Sequence, residues 1–161
     1  MFKIGSLLTC IIAVIFISAY PKDEALPRER EGQVLGKEIV NKELFNYKME
    51  NDENIYELKP PKVFEVFDKD KLESLLSIYT HNDGQIYRIK WILPCPSDQR
   101  MNLKSQLKVY SKFKTEDYDI GSFGYLEYFD EKTKFTVIFN KNRVTFTIYD
   151  LDAIKKGKPD W

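Results

Sequence analysis

Few residues of this chain have the types and spacing that catalysis requires, and His81 is the first to consider. It is the only histidine, and Asn82 and Asp83 follow it directly. An imidazole titrates near neutral pH, so His81 could act as a general base oriented by the Asp83 carboxylate. We favour the interpretation of His81 as a polar residue in an exposed turn. A single histidine also cannot by itself build a histidine-rich zinc site.

Cys95 and an acidic stretch are the other candidates for chemistry. Cys95 lies between two prolines at the end of an apolar run, where we expect a buried small residue rather than a nucleophile. The stretch from residue 117 has Gly121, Ser122 and Tyr128 at its fifth, sixth and twelfth positions. An EF-hand loop needs an oxygen ligand, Gly and Glu there. We therefore interpret this stretch as an acidic loop, not a calcium site.

Common catalytic and cofactor-binding motifs are absent from the sequence. It has no glycine-rich phosphate loop, G-x-S-x-G elbow, Cys-x-x-Cys pair or H-E-x-x-H motif. Lys and Arg balance Asp and Glu at 25 each, so the charge does not indicate a nucleic-acid partner. We expect a protein that is not an enzyme and that binds no cofactor and no metal.

The N-terminal residues have the organisation of a secretory signal. Lys3 precedes an uncharged apolar run over residues 4–20 that ends at a polar break. We expect a signal peptide over residues 1–19, cleaved after Ala19, and a flexible linker over residues 20–33. An uncleaved membrane anchor is the alternative. Lipidation of Cys10 is disfavoured because the apolar run continues for ten residues beyond it.

The composition of the exported part indicates where it works. Cys95 is the one cysteine outside the signal, and there is no Asn-X-Ser/Thr sequon. Small secreted eukaryotic domains usually carry several disulfides. We therefore expect a bacterial envelope protein, located in the periplasm or at the cell surface. It would touch the membrane only through the N-terminal segment, if that segment is not cleaved.

Residue patterns over 34–161 predict a single α+β domain. Alternation predicts strands at 44–49, 55–59 and 85–93, and the last of these places Tyr87, Ile89, Trp91 and Leu93 on the core side. Apolar stripes predict two helices. One begins at Asp70 and carries Leu72, Leu75, Leu76 and Tyr79, and the other begins at Ser97 and carries Leu103, Leu107, Tyr110 and Phe113. We expect two helices packed on one face of a mostly antiparallel sheet.

The last third predicts a three-stranded meander whose registers support one another. A two-residue loop at 141–142 makes one hairpin, and a turn at 130–133 makes the other. The pairs expected on the core side are Phe139 with Val144, Val137 with Phe146, Phe135 with Ile148, Tyr128 with Phe135, and Leu126 with Val137. A slip of one residue would move each set to the opposite side.

We place the functional surface on the other side of this meander. That side carries Tyr125, Phe129, Ile138, Thr145, Thr147 and Tyr149. An aromatic and threonine-rich surface suits recognition of a protein or a glycan, unless the N-terminal strands cover it. We expect a protein-binding module of the inhibitor or immunity type, with a protein partner in the cell envelope. The alternatives are a small envelope hydrolase that uses His81, and a structural component anchored by an uncleaved N-terminus.

Overall fold

The computed structural model describes residues 25–59 and 76–157, and most of these residues lie in β-strands. The strands are β1 (Glu29–Arg30), β2 (Gln33–Val34), β3 (Phe45–Glu50), β4 (Glu53–Leu58), β5 (Leu76–Thr80), β6 (Ile86–Pro94), β7 (Lys114–Ile120), β8 (Phe123–Phe129), β9 (Thr133–Asn140) and β10 (Arg143–Asp150). The helices are α1 (Arg100–Leu107) and α2 (Leu151–Gly157), with 3-10 turns at Lys42–Leu44, Ser97–Gln99 and Lys108–Phe113.

Eight of the strands form one antiparallel sheet in the order β3-β4-β5-β6-β10-β9-β8-β7, and β1 pairs with β2 separately. The large sheet consists of two four-stranded meanders, β3 to β6 and β7 to β10. Their last strands, β6 and β10, pair with each other over seven residues. A helix follows each meander, so the fold is broadly α+β, as expected.

The registers of the β8–β9 and β9–β10 hairpins are those that the sequence predicts. Val137 lies opposite Phe146 in β9–β10, and Tyr128 lies opposite Phe135 in β8–β9. The loop that joins β9 to β10 begins at Lys141, which has a φ of 51°. Alternation and turn length agree here, and the agreement fixes which side chains face the core.

The predicted helix from Asp70 is wrong over the residues that the structure describes. Leu76–Thr80 is strand β5, which pairs with β4 on one side and β6 on the other. Residues 60–75, which include the start of that helix, lie outside the described residues. A strand forms because Leu76, Ile78 and Thr80 alternate and are all buried, and because pairing on both sides satisfies the backbone. Over the described residues, the expected pair of helices on one face is therefore not matched.

The stretch interpreted as an acidic loop is also a strand. Lys114–Ile120 forms β7 at the edge of the sheet, so the second meander has four strands rather than three. Two of its three acidic side chains form ion pairs with lysines: Asp119 pairs with Lys104 of α1, and Asp117 pairs with Lys114. These ion pairs reduce the repulsion that would otherwise oppose a strand so rich in carboxylates.

The core lies on one side of the sheet, which we call the core face. It carries Ile89, Val137 and Ile148, which are fully buried. The expected stripe of Leu103, Leu107 and Tyr110 is buried against this face, through α1 and the 3-10 turn that follows it. Ser97 starts the 3-10 turn before α1, but no side-chain hydrogen bond caps the helix there. Cys95 is buried in the same cluster, as expected.

The residues just before Val34 also pack on the domain. Residues 1–24, and with them the predicted signal peptide, lie outside the described residues. From residue 25 to 33, where we expected linker, Leu26 is buried in the core and the Arg28 guanidinium pairs with the Asp150 carboxylate. Arg30 lies 5.4 Å from the Trp91 ring centroid, so its planar charge rests on an aromatic surface. The ordered domain thus begins before residue 34.

Truncation of a core-face residue in the central strands should destabilise the fold strongly. Ile148 is fully buried in β10, so Ile148→Ala should lower the free energy of unfolding by about 2–5 kcal/mol, measured by urea denaturation. Ile138→Ala, on the half-buried opposite side of β9, serves as the matched control and should cost roughly 1 kcal/mol. Equal losses in the two variants would contradict the assignment of the faces.

Candidate functional site

The side of the sheet opposite the core face, which we call the outer face, holds all six predicted binding residues. Tyr125 lies opposite Ile138, and Ile138 lies opposite Thr145, in one row across three strands. Thr147 belongs to the next row. Phe129 and Tyr149 belong to the row beyond it, where both lie opposite Lys134. Five of the six are half-buried, and Thr147 is buried.

Strand β7 extends the aromatic row beyond the predicted set. Tyr118 lies opposite Tyr125, and the two rings stack with centroids 5.3 Å apart. Ile120 is 71% exposed at the end of the same strand. Interpreting residues 117–128 as an acidic loop concealed both residues. The apolar–polar alternation from Asp117 to Ile120 was the signal that could have revealed them.

A second row combines aromatic rings with cations. Across β8, β9, β10, β6 and β5 it reads Phe129, Lys134, Tyr149, Arg88 and Tyr79. The Lys134 ammonium lies 5.2 Å from the Phe129 centroid, and the Arg88 guanidinium lies 3.5 Å from the Tyr79 centroid. Each charge thus faces the electron-rich surface of a ring, which is favourable. We call this row the cation–aromatic ladder.

A β-bulge brings one more aromatic residue to this end of the outer face. Tyr79 pairs with Arg88 and Thr80 pairs with Ile86, so Tyr87 is the extra residue of β6. Its ring contacts Tyr79 and stacks on His81 at 4.3 Å. The expectation that Tyr87 shares the core side with Ile89 is therefore wrong, because a bulge interrupts strict alternation.

Small and polar side chains lie between the two rows. Thr147 lies opposite Thr136 on one side and Lys90 on the other, and Lys90 lies opposite Ser77. Among the residues that the structure describes, Lys90 forms no ion pair. We call this polar strip the threonine trough. It has larger side chains on both flanks and one positive charge, Lys90, that no described carboxylate pairs with.

Glu127 links the aromatic row to the ladder. Its carboxylate accepts a hydrogen bond from the Tyr125 hydroxyl at 2.6 Å and pairs with the Lys134 ammonium at 2.7 Å. Burial by itself would raise the pKa of Glu127, but hydrogen bonds from Lys134, Tyr125 and Thr115 outweigh it and hold the pKa below its usual value. Burial and the bond to this carboxylate raise the pKa of Tyr125.

The pair of His81 and Asp83 does not form the geometry of a general base and its orienting acid. His81 Nε2 lies 3.0 Å from the carbonyl oxygen of Ala153 in α2, to which it donates. The Asp83 carboxylate accepts the backbone N–H of Gln85 instead. Both residues line a pocket of about 700 Å³ between the β5–β6 turn and α2. These contacts are those of a turn braced against a helix.

The described ranges, 25–59 and 76–157, contain neither a candidate metal site nor a candidate membrane-spanning helix. Within them, no three His, Cys, Asp or Glu side chains are grouped so that they could hold a metal ion. No helix in these ranges has the length and apolar character needed to span a bilayer.

Comparison of the chain with protein-family models gave no match, and neither curated proteins nor solved structures included one significantly similar to it.

Glu127→Gln should destabilise the protein in a manner that depends on pH. The carboxylate has a lowered pKa when folded, so its stabilising effect is present at neutral pH and is lost as the pH falls through the folded pKa. We expect the variant to be less stable at pH 7 by roughly 1 kcal/mol, since bonds to a charged group are lost. Denaturant unfolding should show this difference shrinking below the ordinary carboxyl value of 4.5.

Glu131→Gln is the matched control, because Glu131 is an exposed carboxylate in the neighbouring turn. It should change stability little at either pH. A Glu127→Gln deficit that is the same at pH 7 and in acid would contradict a charged, hydrogen-bonded Glu127.

Proposed function

We propose that this chain is an exported protein-binding module whose outer face recognises a protein partner in the cell envelope. The observation that carries the proposal is the aromatic row of the outer face, where Tyr118, Tyr125 and Ile138 lie side by side on β7, β8 and β9. Tyr is among the residues enriched where proteins bind each other, because its ring offers a large contact area with a polar tip.

Rigidity of this face also supports binding. Tyr125 is fixed by its hydrogen bond to Glu127, and Lys134 is fixed by the same carboxylate. Arg88 pairs with Glu53 while it covers the Tyr79 ring. Side chains already ordered before association lose little conformational entropy when a partner binds, so more of the contact energy becomes affinity.

Charge in the threonine trough indicates the chemistry of the partner. Lys134 and Arg88 are neutralised by carboxylates of this chain, whereas Lys90 at the centre has no ion pair with a described residue. A partner surface that presents apolar side chains around one carboxylate would match this arrangement, because the carboxylate would compensate Lys90 on burial. An inhibitor or immunity-type role requires such specific recognition.

The hydrolase alternative receives less support from the same contacts. His81 is engaged with Ala153, and Asp83 is engaged with Gln85, so neither is directed at the other. The pocket beside them is lined by carboxylates and amides such as Asp52, Asn82 and Asp152. A binding role for the outer face involves more of the described aromatic and charged side chains than a catalytic role for His81 does.

Cross-linking from the outer face should capture the partner, and cross-linking from the helical side should not. A photoreactive phenylalanine analogue replaces Phe129 in one version and Val109, which is exposed in the 3-10 turn after α1, in the other. We expect an envelope protein to cross-link to the first alone. The same product from both positions would contradict the proposed face.

The captured protein then allows a quantitative test with purified components. Phe129→Ala and Tyr149→Ala should each raise the Kd at least about tenfold, measured by calorimetry, as expected of central aromatic contacts. Val109→Ala should leave the Kd unchanged. Lys90→Gln should raise the Kd and make it less dependent on salt concentration. Lys90→Arg keeps the positive charge, so it should leave the Kd and its salt dependence unchanged. Unchanged affinity in the two aromatic variants, with their folds intact, would exclude this face.

Export is the second part of the proposal and has its own test. If the apolar run of residues 4–20 is a cleaved signal, the protein recovered outside the cytoplasm begins at Tyr20. Intact-mass spectrometry of that fraction should give the mass of residues 20–161. The mass of the whole chain in a membrane fraction would favour the anchored alternative, and recovery from the cytoplasm alone would contradict export.

A further inference from the structure

We propose that strand β3 is a self-association edge, at which a second copy of this chain adds its own β3 antiparallel and continues the sheet. The strand lies at one end of the eight-stranded order, and in the described part of the chain no strand lies on its other side. Tyr47 is 54% exposed and Met49 is 65% exposed. This inference is independent of the proposed function.

The backbone groups of the edge can be assigned from the β3–β4 hairpin. Its two-residue loop, Asn51 and Asp52, has positive φ at both positions, which is the type I′ geometry that suits a tight hairpin. The residues that flank such a loop exchange hydrogen bonds, and alternate pairs beyond them do the same. The bond from Lys59 N–H to the Leu44 carbonyl fits this spacing.

Phe45, Tyr47 and Met49 therefore direct their backbone groups away from β4. The backbone N–H of Phe45 donates a hydrogen bond to the carbonyl of Lys42 in the preceding 3-10 turn. The edge still offers the Phe45 carbonyl and both backbone groups of Tyr47 and of Met49. No described residue pairs with these groups, and an added strand would satisfy them.

One register joins two such edges with matched side chains. A twofold axis through Tyr47 places the two Tyr47 residues opposite each other, Phe45 opposite Met49, and Asn46 opposite Lys48. Aromatic and apolar pairs of this kind stabilise adjacent strands, and no like charges meet. A register centred on Lys48 would instead place two lysines opposite each other, which is unfavourable. The strand is thus self-complementary in the register centred on Tyr47, which overlaps as many residues of β3 as the register centred on Lys48.

The other edge of the sheet is protected where β3 is not. Strand β7 has Glu116, Asp117 and Asp119 among its seven residues, and its register with β8 shifts between Lys114 and Glu116. Charges and bulges are devices that prevent edge strands from pairing. Strand β3 pairs with β4 without interruption from Phe45 to Glu50. The two edges therefore differ in sequence in the manner that favours β3 as the open one.

Sedimentation equilibrium of the purified protein over a wide concentration range tests the inference. We expect a monomer–dimer equilibrium. Substitution of Tyr47→Lys together with Met49→Lys should raise the dimer dissociation constant at least about tenfold, because each dimer then places several like charges at the joint. Tyr118→Lys together with Ile120→Lys, exposed positions of β7, is the matched control and should leave it unchanged.

Disulfide trapping gives a second measurement that does not require tight association. In the proposed register the two residues at position 47 form a directly opposed pair with Cα atoms about 5.5 Å apart, a distance that a disulfide spans. Tyr47→Cys should give a covalent dimer under mild oxidation, and Tyr118→Cys should not. A protein that stays monomeric at all concentrations and gives no Tyr47→Cys dimer overturns the inference, as does a dimer that only the β7 substitutions dissociate.

Discussion

The pairing of β6 with β10 is the interaction on which the rest of the structure depends. It joins two four-stranded meanders into one sheet through a continuous register from Arg143–Pro94 to Tyr149–Arg88. Trp91 of β6 lies opposite Phe146 of β10, and their rings stack at 5.1 Å. Without this joint neither meander has a full core face.

The same pairing creates the outer face. Side chains alternate across a strand, so the register that buries Phe146 and Ile148 also aligns Thr147 and Tyr149 with Lys90 and Arg88. Core packing thus determines the arrangement of the aromatic row, the threonine trough and the cation–aromatic ladder. Any slip that scattered the outer face would also expose the core, so the register that stabilises the core also keeps the outer face in place.

The sequence predicted those parts of the fold in which two local signals agree. In the second meander, alternation and turn length give the same register, and the structure has it. The predicted helix from Asp70 fails over residues 76–80 because Leu76, Ile78 and Thr80 alternate there as in a strand, and partner strands lie on both sides. Strand β7 was not predicted, because a segment so rich in acidic residues is typical of a loop. In the structure Lys104 pairs with Asp119 and Lys114 pairs with Asp117, which lowers the repulsion within the strand.

The candidate site was predicted to a similar extent. The six outer-face residues share one side of the meander, since that side follows from the hairpin registers. The predicted set of binding residues does not include Tyr118, because strand β7 was not predicted. The cation–aromatic ladder could not be predicted, because it depends on the β6–β10 register, which pairs strands far apart in sequence. The position of Tyr87 could not be predicted either, because no residue type indicates where a β-bulge occurs.

The two-meander plan also has a consequence for how the chain folds. Within each meander, neighbouring strands are joined by short connections, apart from the longer segment between β4 and β5, so most of their contacts are local and close small loops. The β6–β10 joint instead connects residues about fifty apart in sequence, and its loop-closure entropy must be overcome before the shared core rewards it. We therefore expect the β6–β10 pairing to form after the hairpins within each meander, and until it forms Trp91 and Phe146 lack their stacking contact across the seam.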